Sequence, residues 1–436
     1  MNRAITFRSI GCRTNQEEVS SLRARLTADG YSVSDEIEGA DIVIVNTCSV
    51  TSFTESKTGR FIRSISRLAP NARILVTGCF AQQHGEALLE YPGVAWVVGN
   101  GDKHRIPEIL SSAGNGGTGV GTAHLADIDK GSDDAFWGGR VIGPGESGRT
   151  RFSLKIQEGC DYRCAYCIVP SLRGSSRSAP KGLLIETFKR AVDMGYKEIV
   201  LTGTHIGQYR DVNKSGLESL LEDFLKIPGD YRVRLSSLDP RDLTDTLTAM
   251  AGGDGRVCPH LHVSVQSLCA DVLSRMGRPY GDFDLLMERL RSFREKFPMS
   301  GLGADFIAGH PGESGAMFET TLRNAELIGF TYGHVFRFSK RRGTKAAVMP
   351  DQVSENVKTA RSAALRELLE KNRGKFLSLL FAHPLYIIIE SENPARGVSG
   401  NYIKVEVPES RPPKNSWMRV ALMGAVRDGY CIAKET

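Results

Sequence analysis

Three cysteines stand close together near the middle of the chain, at Cys160, Cys164 and Cys167. Their C-x3-C-x2-C spacing follows an apolar run over residues 152–156 that predicts a strand. Three thiolates within eight residues can wrap three corners of a four-iron cluster and leave the fourth iron open for a substrate. A zinc site would need a further pair of ligands, and no matching C-x2-C or H-x3-H follows. The spacing therefore predicts an iron–sulfur site.

Three more cysteines, Cys12, Cys48 and Cys79, are spread through the first part of the chain. Each comes two or three residues after a short apolar run that predicts a strand. Neighbouring parallel strands end at the same edge of a sheet, so these thiols are expected to converge. On a four-iron cluster they would again leave one iron open. Ordinary buried thiols, or a zinc ion held by three thiolates and water, are the alternatives.

The composition indicates an ordinary globular protein that uses cysteine for chemistry. Hydrophobic residues make up 41% and charged residues 24% of the chain, and no run of about 18 apolar residues predicts a membrane span. The apolar segment near the N-terminus is too short for a signal peptide, so a cytoplasmic location is expected. In that reducing compartment nine cysteines are more often metal ligands or catalytic thiols than disulfides. The net charge of +6 suits a polyanionic partner but is weak evidence for nucleic acid.

Strand and helix patterns alternate through the first 110 residues and again after the central cysteines. The first part predicts four strands in an α/β layer with a parallel sheet. Six later strands end at polar or glycine residues and predict a partial barrel, a fold that carries its sites just past the strand ends. Residues 354–376 predict a helix, and the short strands after it predict a small antiparallel β-barrel.

The order of the six cysteines and their neighbours resembles the radical S-adenosylmethionine methylthiotransferases. The matching residues are Gly11-Cys12, Asn46-Thr47-Cys48, Gly78-Cys79, the central motif, and Ile168-Val169-Pro170-Ser171-Leu172-Arg173-Gly174 with Arg177 close behind. The resemblance covers nearly the whole chain. It implies an α/β protein with a Rossmann-like methylthiotransferase domain over residues 1–115 and a linker over 116–148. A radical S-adenosylmethionine domain with a partial (β/α)6 barrel would follow over 149–376, and a TRAM-like β-barrel over 377–436.

The same resemblance implies two [4Fe–4S] clusters, and S-adenosylmethionine as both methyl donor and radical source. Cys160, Cys164 and Cys167 would hold the cluster that makes the radical. Cys12, Cys48 and Cys79 would hold an auxiliary cluster that handles the sulfur and the methylthio group. The residues implied to contact S-adenosylmethionine are Tyr166, Thr202, Gly203, Ser237, Gln266, Gly309 and Glu313. The basic residues implied to contact RNA are Arg173, Arg177, Lys340, Arg341 and Arg342.

Two positions depart from the family pattern. His310 stands where phenylalanine is common in Gly-Phe-Pro-Gly-Glu, and Leu268-Cys269 stands where glycine and a small polar residue are usual. Both changes alter the packing expected around the cofactor. Neither removes a cysteine of the two triplets, so the predicted chemistry is unchanged.

Further motifs are similar to the MtaB branch of the family, among them Leu201-Thr202-Gly203-Thr204-His205 and Met276-Gly277-Arg278-Pro279-Tyr280. This likeness implies addition of methylthio to C2 of N6-threonylcarbamoyladenosine at position 37 of tRNA. A one-electron reductant and a sulfur source would be further partners. Methylthiolation of N6-isopentenyladenosine-37, or of an aspartate in a ribosomal protein, is the alternative within the same chemistry. An RNA-binding scaffold with structural metal is the alternative from another class, but such metal sites have a fourth protein ligand.

Overall fold

The computed structural model describes residues 3–49, 52–112, 121–126, 141–144, 149–253, 255–278 and 281–436. Most of the linker predicted over 116–148 therefore lies outside the described residues. The described chain forms an N-terminal unit, a central unit and a C-terminal barrel, each with hydrophobic cores of its own. Within these residues, no helix is both long enough and apolar enough to cross a membrane.

The N-terminal unit is built on a parallel sheet. Its strands are β1 (Ala4–Ser9), β2 (Ser32–Ser34), β3 (Ile42–Thr47), β4 (Arg73–Gly78), β5 (Val94–Val98) and β6 (Thr122–His124), in the order β2-β1-β3-β4-β5-β6. Strand β3 buries alternate side chains in two cores, with Val43 and Val45 on one face and Ile42 and Ile44 on the other. Because both faces of the strand are covered, its sequence is continuously apolar. The predicted parallel α/β sheet is confirmed.

Four described helices pack on this sheet. They are α1 (Arg13–Ala28), α2 (Ser52–Leu68), α3 (Cys79–His84) and α4 (Ile106–Ser112). Strand β6 pairs in parallel with β5, with Trp96 opposite Thr122. The prediction that residues 122–124 belong to a linker is therefore wrong, since three residues are too few to show the alternation of a strand.

The central unit contains six parallel strands. The strands of this unit are β7 (Arg151–Glu158), β8 (Arg177–Ser178), β9 (Glu198–Gly203), β10 (Arg232–Leu235), β11 (His260–Gln266), β12 (Gly301–Ala308) and β13 (Tyr332–Arg337). They form two sheets, β10-β9-β7-β8 and β11-β12-β13, of which only β8 runs antiparallel to its neighbour. Isolated parallel bridges from Val233 to Val257 and from Leu238 to Val263 join the two sheets. This arrangement is the predicted partial barrel.

The central unit has nine described α-helices. They are α5 (Val169–Arg173), α6 (Lys181–Asp193), α7 (Leu217–Leu225), α8 (Asp245–Gly253), α9 (Ala270–Arg275), α10 (Phe283–Lys296), α11 (Gly315–Ile328), α12 (Lys345–Val348) and α13 (Glu355–Leu380). All except α5, α9 and α12 contribute to one core on one side of these strands. On β11, Leu261 and Val263 join the core formed with the helices, whereas the alternating His260 and His262 do not. We call the strand face turned away from that core the inner face.

Five strands close the C-terminal barrel. They are β14 (Leu385–Glu392), β15 (Ala395–Ser399), β16 (Lys404–Val407), β17 (Trp417–Arg427) and β18 (Tyr430–Glu435), in the order β14-β15-β16-β18-β17. The predicted small β-barrel is confirmed, although β16 and β18 pair in parallel. Two buried arginines of β10 tie it to the central unit. Arg232 donates to the carbonyl oxygen of Val398 (2.7 Å) and Arg234 to that of Ser399 (2.9 Å), and both pair with Glu198.

Candidate functional site

The central cysteines lie in a loop between β7 and α5, at the carboxyl end of the partial barrel. The backbone N–H of Cys160 donates to the carbonyl oxygen of Gly174 (3.0 Å), and that of Ala165 donates to Met276 (2.8 Å). Gly159 enters the loop with φ +75°, and a Cβ there would lie 2.0 Å from the carbonyl oxygen of Ser175. Only glycine fits this position, because both the backbone angle and the close approach exclude a side chain.

Polar side chains surround the central thiols. Nδ1 of His205 lies 3.7 Å from Sγ of Cys160, and its Nε2 lies 2.6 Å from the carboxylate of Asp242. Burial lowers the pKa of His205, but the hydrogen bonds to Asp242 and Cys160 together with the charges of Asp242 and Asp239 outweigh it and raise that pKa to about 9. Nη1 of Arg278 lies 3.7 Å from Sγ of Cys164. His205 and Arg278 thus place a donor nitrogen beside the sulfur atoms of two of the three cysteines.

Burial has the opposite effect on the third central thiol. It raises the pKa of Cys167 to about 12, because an uncompensated thiolate would lose its hydration. A thiol in such a place becomes an anion only when a metal binds it and replaces its proton. The donor set therefore suits a metal cluster better than a free nucleophile.

The second cysteine triplet converges at the carboxyl edge of the N-terminal sheet, as the strand pattern predicts. Cys12 precedes α1, Cys48 follows β3, and Cys79 is the first residue of α3. A Cβ added to Gly11 would lie 2.5 Å from Cβ of Cys48, and one added to Gly78 would lie 2.3 Å from the carbonyl oxygen of Thr47. Both glycines have positive φ. Glycine is therefore needed where the strand ends come together.

The two triplets lie on adjoining surfaces of the N-terminal and central units. Cys79 packs against Ile168 and Leu172, which follow the central motif in sequence. Nδ2 of Asn100 lies 3.8 Å from Sγ of Cys79 and donates to the carbonyl oxygen of Leu172 (2.7 Å). The edge of the N-terminal sheet that carries Cys12, Cys48 and Cys79 thus contacts α5, the helix that follows the central cysteines.

A buried group of charged residues joins the two units beside the cysteines. Arg173 donates to Glu18 (2.8 Å), to Glu158 (2.6 Å) and to Oδ1 of Asn15 (2.9 Å). Lys103 pairs with Glu18 from the N-terminal unit. We call Glu18, Lys103, Lys155, Glu158 and Arg173 the interface ion cluster; each side chain is less than a tenth exposed.

The prediction that Arg173 contacts RNA is wrong. The residue is 3% exposed, and its guanidinium is used inside the protein. Its charge lies close enough to Cys12 and Cys79 to interact with both thiols. Sequence reasoning missed its partner Glu18, because α1 lies some 150 residues away and the pairing exists only in the tertiary structure.

The residues predicted to contact S-adenosylmethionine lie at the carboxyl ends of the central strands. Thr202 and Gly203 end β9, and Gln266 ends β11 with φ +64°. Ser237 follows β10 and is exposed. Tyr166 lies in the cysteine loop, where its hydroxyl accepts a hydrogen bond from Arg278 (3.2 Å). Their common location agrees with a single cleft, and their contacts with a cofactor stay a prediction.

Glu313 has a different position from the other residues of this set. Its carboxylate accepts a hydrogen bond from the backbone N–H of Gly309 (2.7 Å) and pairs with Arg361 (2.7 Å). The carboxylate therefore holds the turn after β12 in shape, and its contact with a cofactor stays a prediction. Gly309 itself has φ +79°, and a Cβ there would lie 2.3 Å from Cγ of Lys358.

Two buried side chains near this turn were not predicted as site residues. Arg278 donates to Asp239 (2.6 Å) as well as to Tyr166, which orients it beside Cys164. His310 is fully buried with its ring edge toward Tyr166, at a centroid distance of 6.5 Å. Among the described residues, Nε2 of His310 has no hydrogen-bond partner. A buried nitrogen of this kind at the cysteine loop fits a cleft that receives a polar ligand.

The spacing of the thiols argues against zinc. Within the described ranges, only one group of three histidine, cysteine or carboxylate residues has its ligand atoms all within 4.8 Å of one another, and that group contains no cysteine. In each cysteine triplet, at least two of the sulfur atoms are therefore more than 4.8 Å apart. Three thiolates on one tetrahedral zinc ion, at about 2.3 Å from the metal, lie only about 3.8 Å apart. In a four-iron cluster each thiolate binds a different iron, so the sulfur atoms stand farther apart. Both triplets thus fit a cluster better than a single ion.

The predicted RNA-contacting residues after β13 differ in exposure. Lys340 and Arg342 are exposed, whereas Arg341 is 4% exposed. The prediction that Arg341 contacts RNA is therefore wrong, and Lys340, Arg342 and the half-buried Arg177 stay predictions. The segment is tied to the cysteine loop, since the N–H of Ala346 donates to the carbonyl oxygen of Ala165 (2.7 Å).

Comparison with known proteins agrees with this architecture. Residues 4–99 match the family described as "Uncharacterized protein family UPF0004", and residues 154–325 match "Radical SAM superfamily". The chain is 38% identical to the threonylcarbamoyladenosine tRNA methylthiotransferase MtaB of Thermotoga maritima, over 84% of this chain and 81% of that protein. It is 34% identical to the Bacillus subtilis protein of the same name, over 92% of this chain and 89% of that protein.

A solved structure shares the fold of most of the chain. It is the radical S-adenosylmethionine methyltransferase TsrM from Kitasatospora setae with cobalamin and a [4Fe-4S] cluster bound. The TM-score is 0.59 at 16% identity, over 80% of this chain and 77% of that one. This likeness is one of fold alone. The identity to the two MtaB proteins extends over most of both lengths, and the chain therefore belongs to the MtaB family of radical S-adenosylmethionine methylthiotransferases.

Proposed function

We propose that this protein adds a methylthio group to C2 of N6-threonylcarbamoyladenosine at position 37 of tRNA. The observation that carries the proposal is the packing of Cys79, from one triplet, against Ile168 and Leu172, which directly follow the other triplet in the chain. A reaction that both removes a hydrogen atom and inserts sulfur needs two metal centres close to one substrate carbon. Membership of the MtaB family supports the same activity and substrate.

Each cysteine triplet holds one [4Fe–4S] cluster in this proposal. Cys160, Cys164 and Cys167 bind the cluster that receives S-adenosylmethionine, since the strand ends around them form the cleft. Cys12, Cys48 and Cys79 bind the auxiliary cluster. In neither case do three thiolates complete the coordination of four irons, so one iron of each stays open.

S-adenosylmethionine, reduced by one electron at its cluster, supplies a carbon radical that can take a hydrogen atom from an unactivated C–H bond. The protein contributes position and charge. Arg278 orients Tyr166 and lies beside Cys164, and His205 lies beside Cys160, so that both sides of the loop carry cationic donors. Arg173 places a permanent positive charge next to Cys12 and Cys79. These charges offset the negative charge that thiolate ligands bring into a buried site.

A tRNA anticodon loop is the substrate that the surface suits. Bases in a single-stranded loop can be turned out and stacked in a pocket at modest energetic cost. Lys340 and Arg342 are exposed on the segment tied to the cysteine loop, where they can contact phosphate. The C-terminal barrel provides a second RNA-binding surface in this proposal. A one-electron reductant and a sulfur source complete the reaction, which we assign to the cytoplasm, where thiols stay reduced.

Mass spectrometry of tRNA nucleosides tests the proposal. A strain without the gene should lose 2-methylthio-N6-threonylcarbamoyladenosine and accumulate its unmodified precursor. The wild-type gene should restore the nucleoside, and a gene carrying Cys164→Ala should not. If the nucleoside were unchanged in the deletion strain, the substrate assignment would be wrong. The same samples would then be searched for loss of methylthiolated isopentenyladenosine or of a methylthiolated ribosomal protein.

A further inference from the structure

Two histidines and an aspartate meet on the inner face of three neighbouring strands. His262 lies on β11, Asp305 on β12 and His334 on β13. Oδ1 of Asp305 lies 3.0 Å from Nε2 of His262 and 2.9 Å from Nδ1 of His334. Among the described histidine, cysteine, aspartate and glutamate residues, this is the one group of three whose ligand atoms all lie within 4.8 Å of one another.

Strand register brings the three residues together. Asp305 is the direct register partner of His334, and His262 is the partner of Gly303, two residues before Asp305 on the same face of β12. Side chains two residues apart on a strand share one face, so all three point to the inner side. The arrangement is part of the sheet itself and does not depend on a mobile loop.

The distances match those between ligands of one metal ion. Imidazole and carboxylate ligands bind zinc at about 2.0–2.2 Å. Two such ligands lie about 3.0 Å apart at the right angle of a six-coordinate Fe²⁺ site and about 3.4 Å apart at the tetrahedral angle of zinc. The oxygen–nitrogen distances from Asp305 to the two histidines, 3.0 and 2.9 Å, match the six-coordinate geometry more closely. Two histidines and one carboxylate, with the other positions open, are a donor set used for Zn²⁺ and for Fe²⁺.

A tyrosine orients the buried histidine from behind. Oη of Tyr332 lies 2.9 Å from Nδ1 of His262 and 2.7 Å from Nε2 of His260. Nδ1 of His262 can therefore donate to Tyr332, and Tyr332 can donate to His260. In that arrangement Nε2 of His262 carries no proton, so its lone pair can bind a metal ion beside Asp305. Ligand histidines characteristically have such a partner on the second ring nitrogen. Gly303 makes room for this contact, since a Cβ there would lie 2.2 Å from the Tyr332 ring.

The three side chains differ in exposure in a way that leaves one side of the group accessible. The side chain of His262 is 9% exposed, that of Asp305 18% and that of His334 58%. An ion held here would be anchored from within the sheet by His262 and Asp305 and open on the side of the exposed His334, which lines a cavity with Arg366 and Tyr402. Asp305 lies four residues before Gly309, or about 13 Å along the strand, so this group is separate from the cysteine loop.

We propose that Nε2 of His262, Oδ1 of Asp305 and Nδ1 of His334 bind one divalent metal ion, Zn²⁺ or Fe²⁺. The remaining coordination positions accept water or an oxygen atom of a ligand. This site is distinct from both cysteine triplets, and it does not depend on the identity of the substrate.

Titration with Co²⁺ tests the site in protein whose two clusters have been assembled beforehand, so that the six cysteines are occupied. One equivalent of Co²⁺ should bind and give visible bands of nitrogen and oxygen coordination, without a thiolate charge-transfer band. Asp305→Asn and His334→Gln should each weaken Co²⁺ binding at least about tenfold. Removing only a hydrogen-bond partner of a metal ligand already lowers metal affinity by about 10–100-fold, and removing a ligand should cost at least as much. His383→Gln, at an exposed histidine of the segment before the C-terminal barrel, should bind as the wild type does.

A second variant separates coordination from general damage to the fold. Tyr332→Phe keeps all three ligands and removes only the partner of His262, so Co²⁺ binding should weaken about 10–100-fold while the bands keep their shape. His334 is exposed, so His334→Gln should fold normally, as checked by its cluster absorbance. Failure of cluster-loaded protein to bind Co²⁺, or unchanged affinity in His334→Gln, would overturn the proposal.

Discussion

Single buried side chains decide much of the chemistry available at the cysteine loop. His310 replaces an expected phenylalanine and is fully buried, with one ring nitrogen bonded to the carbonyl oxygen of Pro311 (3.1 Å). Burial lowers the pKa of His310 to about 4, and the nearby charge of Arg275 lowers it further. The imidazole is therefore neutral at physiological pH, and it adds a polar atom to the cleft without adding a charge.

His310 should make the stability of the protein fall in mild acid. Its folded pKa of about 4 lies below the ordinary histidine pKa of 6.5, so its contribution is complete above pH 6.5 and is lost as the pH falls toward 4. Between pH 7 and pH 5 the free energy of unfolding should fall by about 2 kcal/mol from this group alone. His310→Phe should remove that part of the slope in chemical denaturation, and His383→Gln should keep it. A His310→Phe protein with the wild-type slope would show that burial does not lower the pKa of His310.

The two cysteine triplets should separate two steps of the reaction. Replacing Cys160, Cys164 or Cys167 by alanine should abolish reductive cleavage of S-adenosylmethionine, because no iron site would receive it. Replacing Cys12, Cys48 or Cys79 should preserve cleavage and stop methylthio transfer. Release of 5′-deoxyadenosine and formation of the methylthiolated nucleoside, measured in the same reactions, distinguish the two results. Equal behaviour of both sets would contradict the proposed roles.

At the scale of elements, the ends of parallel strands collect the functional residues. In the N-terminal unit β1, β3 and β4 each deliver a cysteine, and in the central unit the loop after β7 delivers three. Glycines at these ends carry positive φ, which lets the chain turn at once from strand to loop or helix. The turn geometry is thus as much a part of the site as the thiols are.

Gly159→Ala should detach the central cysteine loop from its position. The added Cβ would lie 2.0 Å from the carbonyl oxygen of Ser175, and the backbone angle would be strained as well. We expect the variant to lose the central cluster, so iron per protein should fall by about half, with the auxiliary cluster retained. Gly182→Ala is the matched control, because a Cβ there meets nothing within 4 Å and the residue lies in α6. Normal iron content in Gly159→Ala would show that the loop can relax.

At the scale of the whole molecule, the N-terminal unit packs beside the carboxyl ends of the partial barrel, and the C-terminal barrel packs at the amino ends of the same strands. The interface ion cluster joins the N-terminal unit to the central one, and Glu198, Arg232 and Arg234 join the C-terminal barrel. Both junctions bury charges with their partners, and removing one partner of such a group leaves an uncompensated charge. The relative positions of the two cysteine triplets are therefore set by fixed polar contacts.

Exposed basic residues beside the cysteine loop should contribute to tRNA binding. Replacing Lys340 and Arg342 together by alanine should weaken binding of a tRNA anticodon stem–loop, and the salt dependence of the affinity should become shallower by about 1 for each lost phosphate contact. Replacing the half-buried Arg190 and the exposed Lys226 together is the control, because Arg190 lies on the outer helix α6 and Lys226 at the end of α7. An unchanged salt slope in the first variant would show that Lys340 and Arg342 do not contact RNA.

The sequence by itself determined the two cysteine triplets, the parallel α/β sheet, the partial barrel and the closing β-barrel. These features follow from local signals: residue type, spacing over a few positions, and the period of apolar residues. The strands β2, β6 and β15 were missed because they are short and lack a clear alternation. Residues just past the strand ends could be assigned to the carboxyl edge of the sheet from sequence alone. Parallel strands all end at the same edge, whichever side chains they carry.

Only the tertiary structure decided which charged residues face solvent. Arg173 and Arg341 look like surface cations in the sequence, yet both are buried. Burial of a charge depends on partners that are distant in the chain, as Glu18 is from Arg173. The His262–Asp305–His334 group was invisible for the same reason, because strand register brings together residues that are tens of positions apart in sequence. Local spacing predicts ligands that neighbour one another in the chain, whereas long-range pairing is settled by how the strands align.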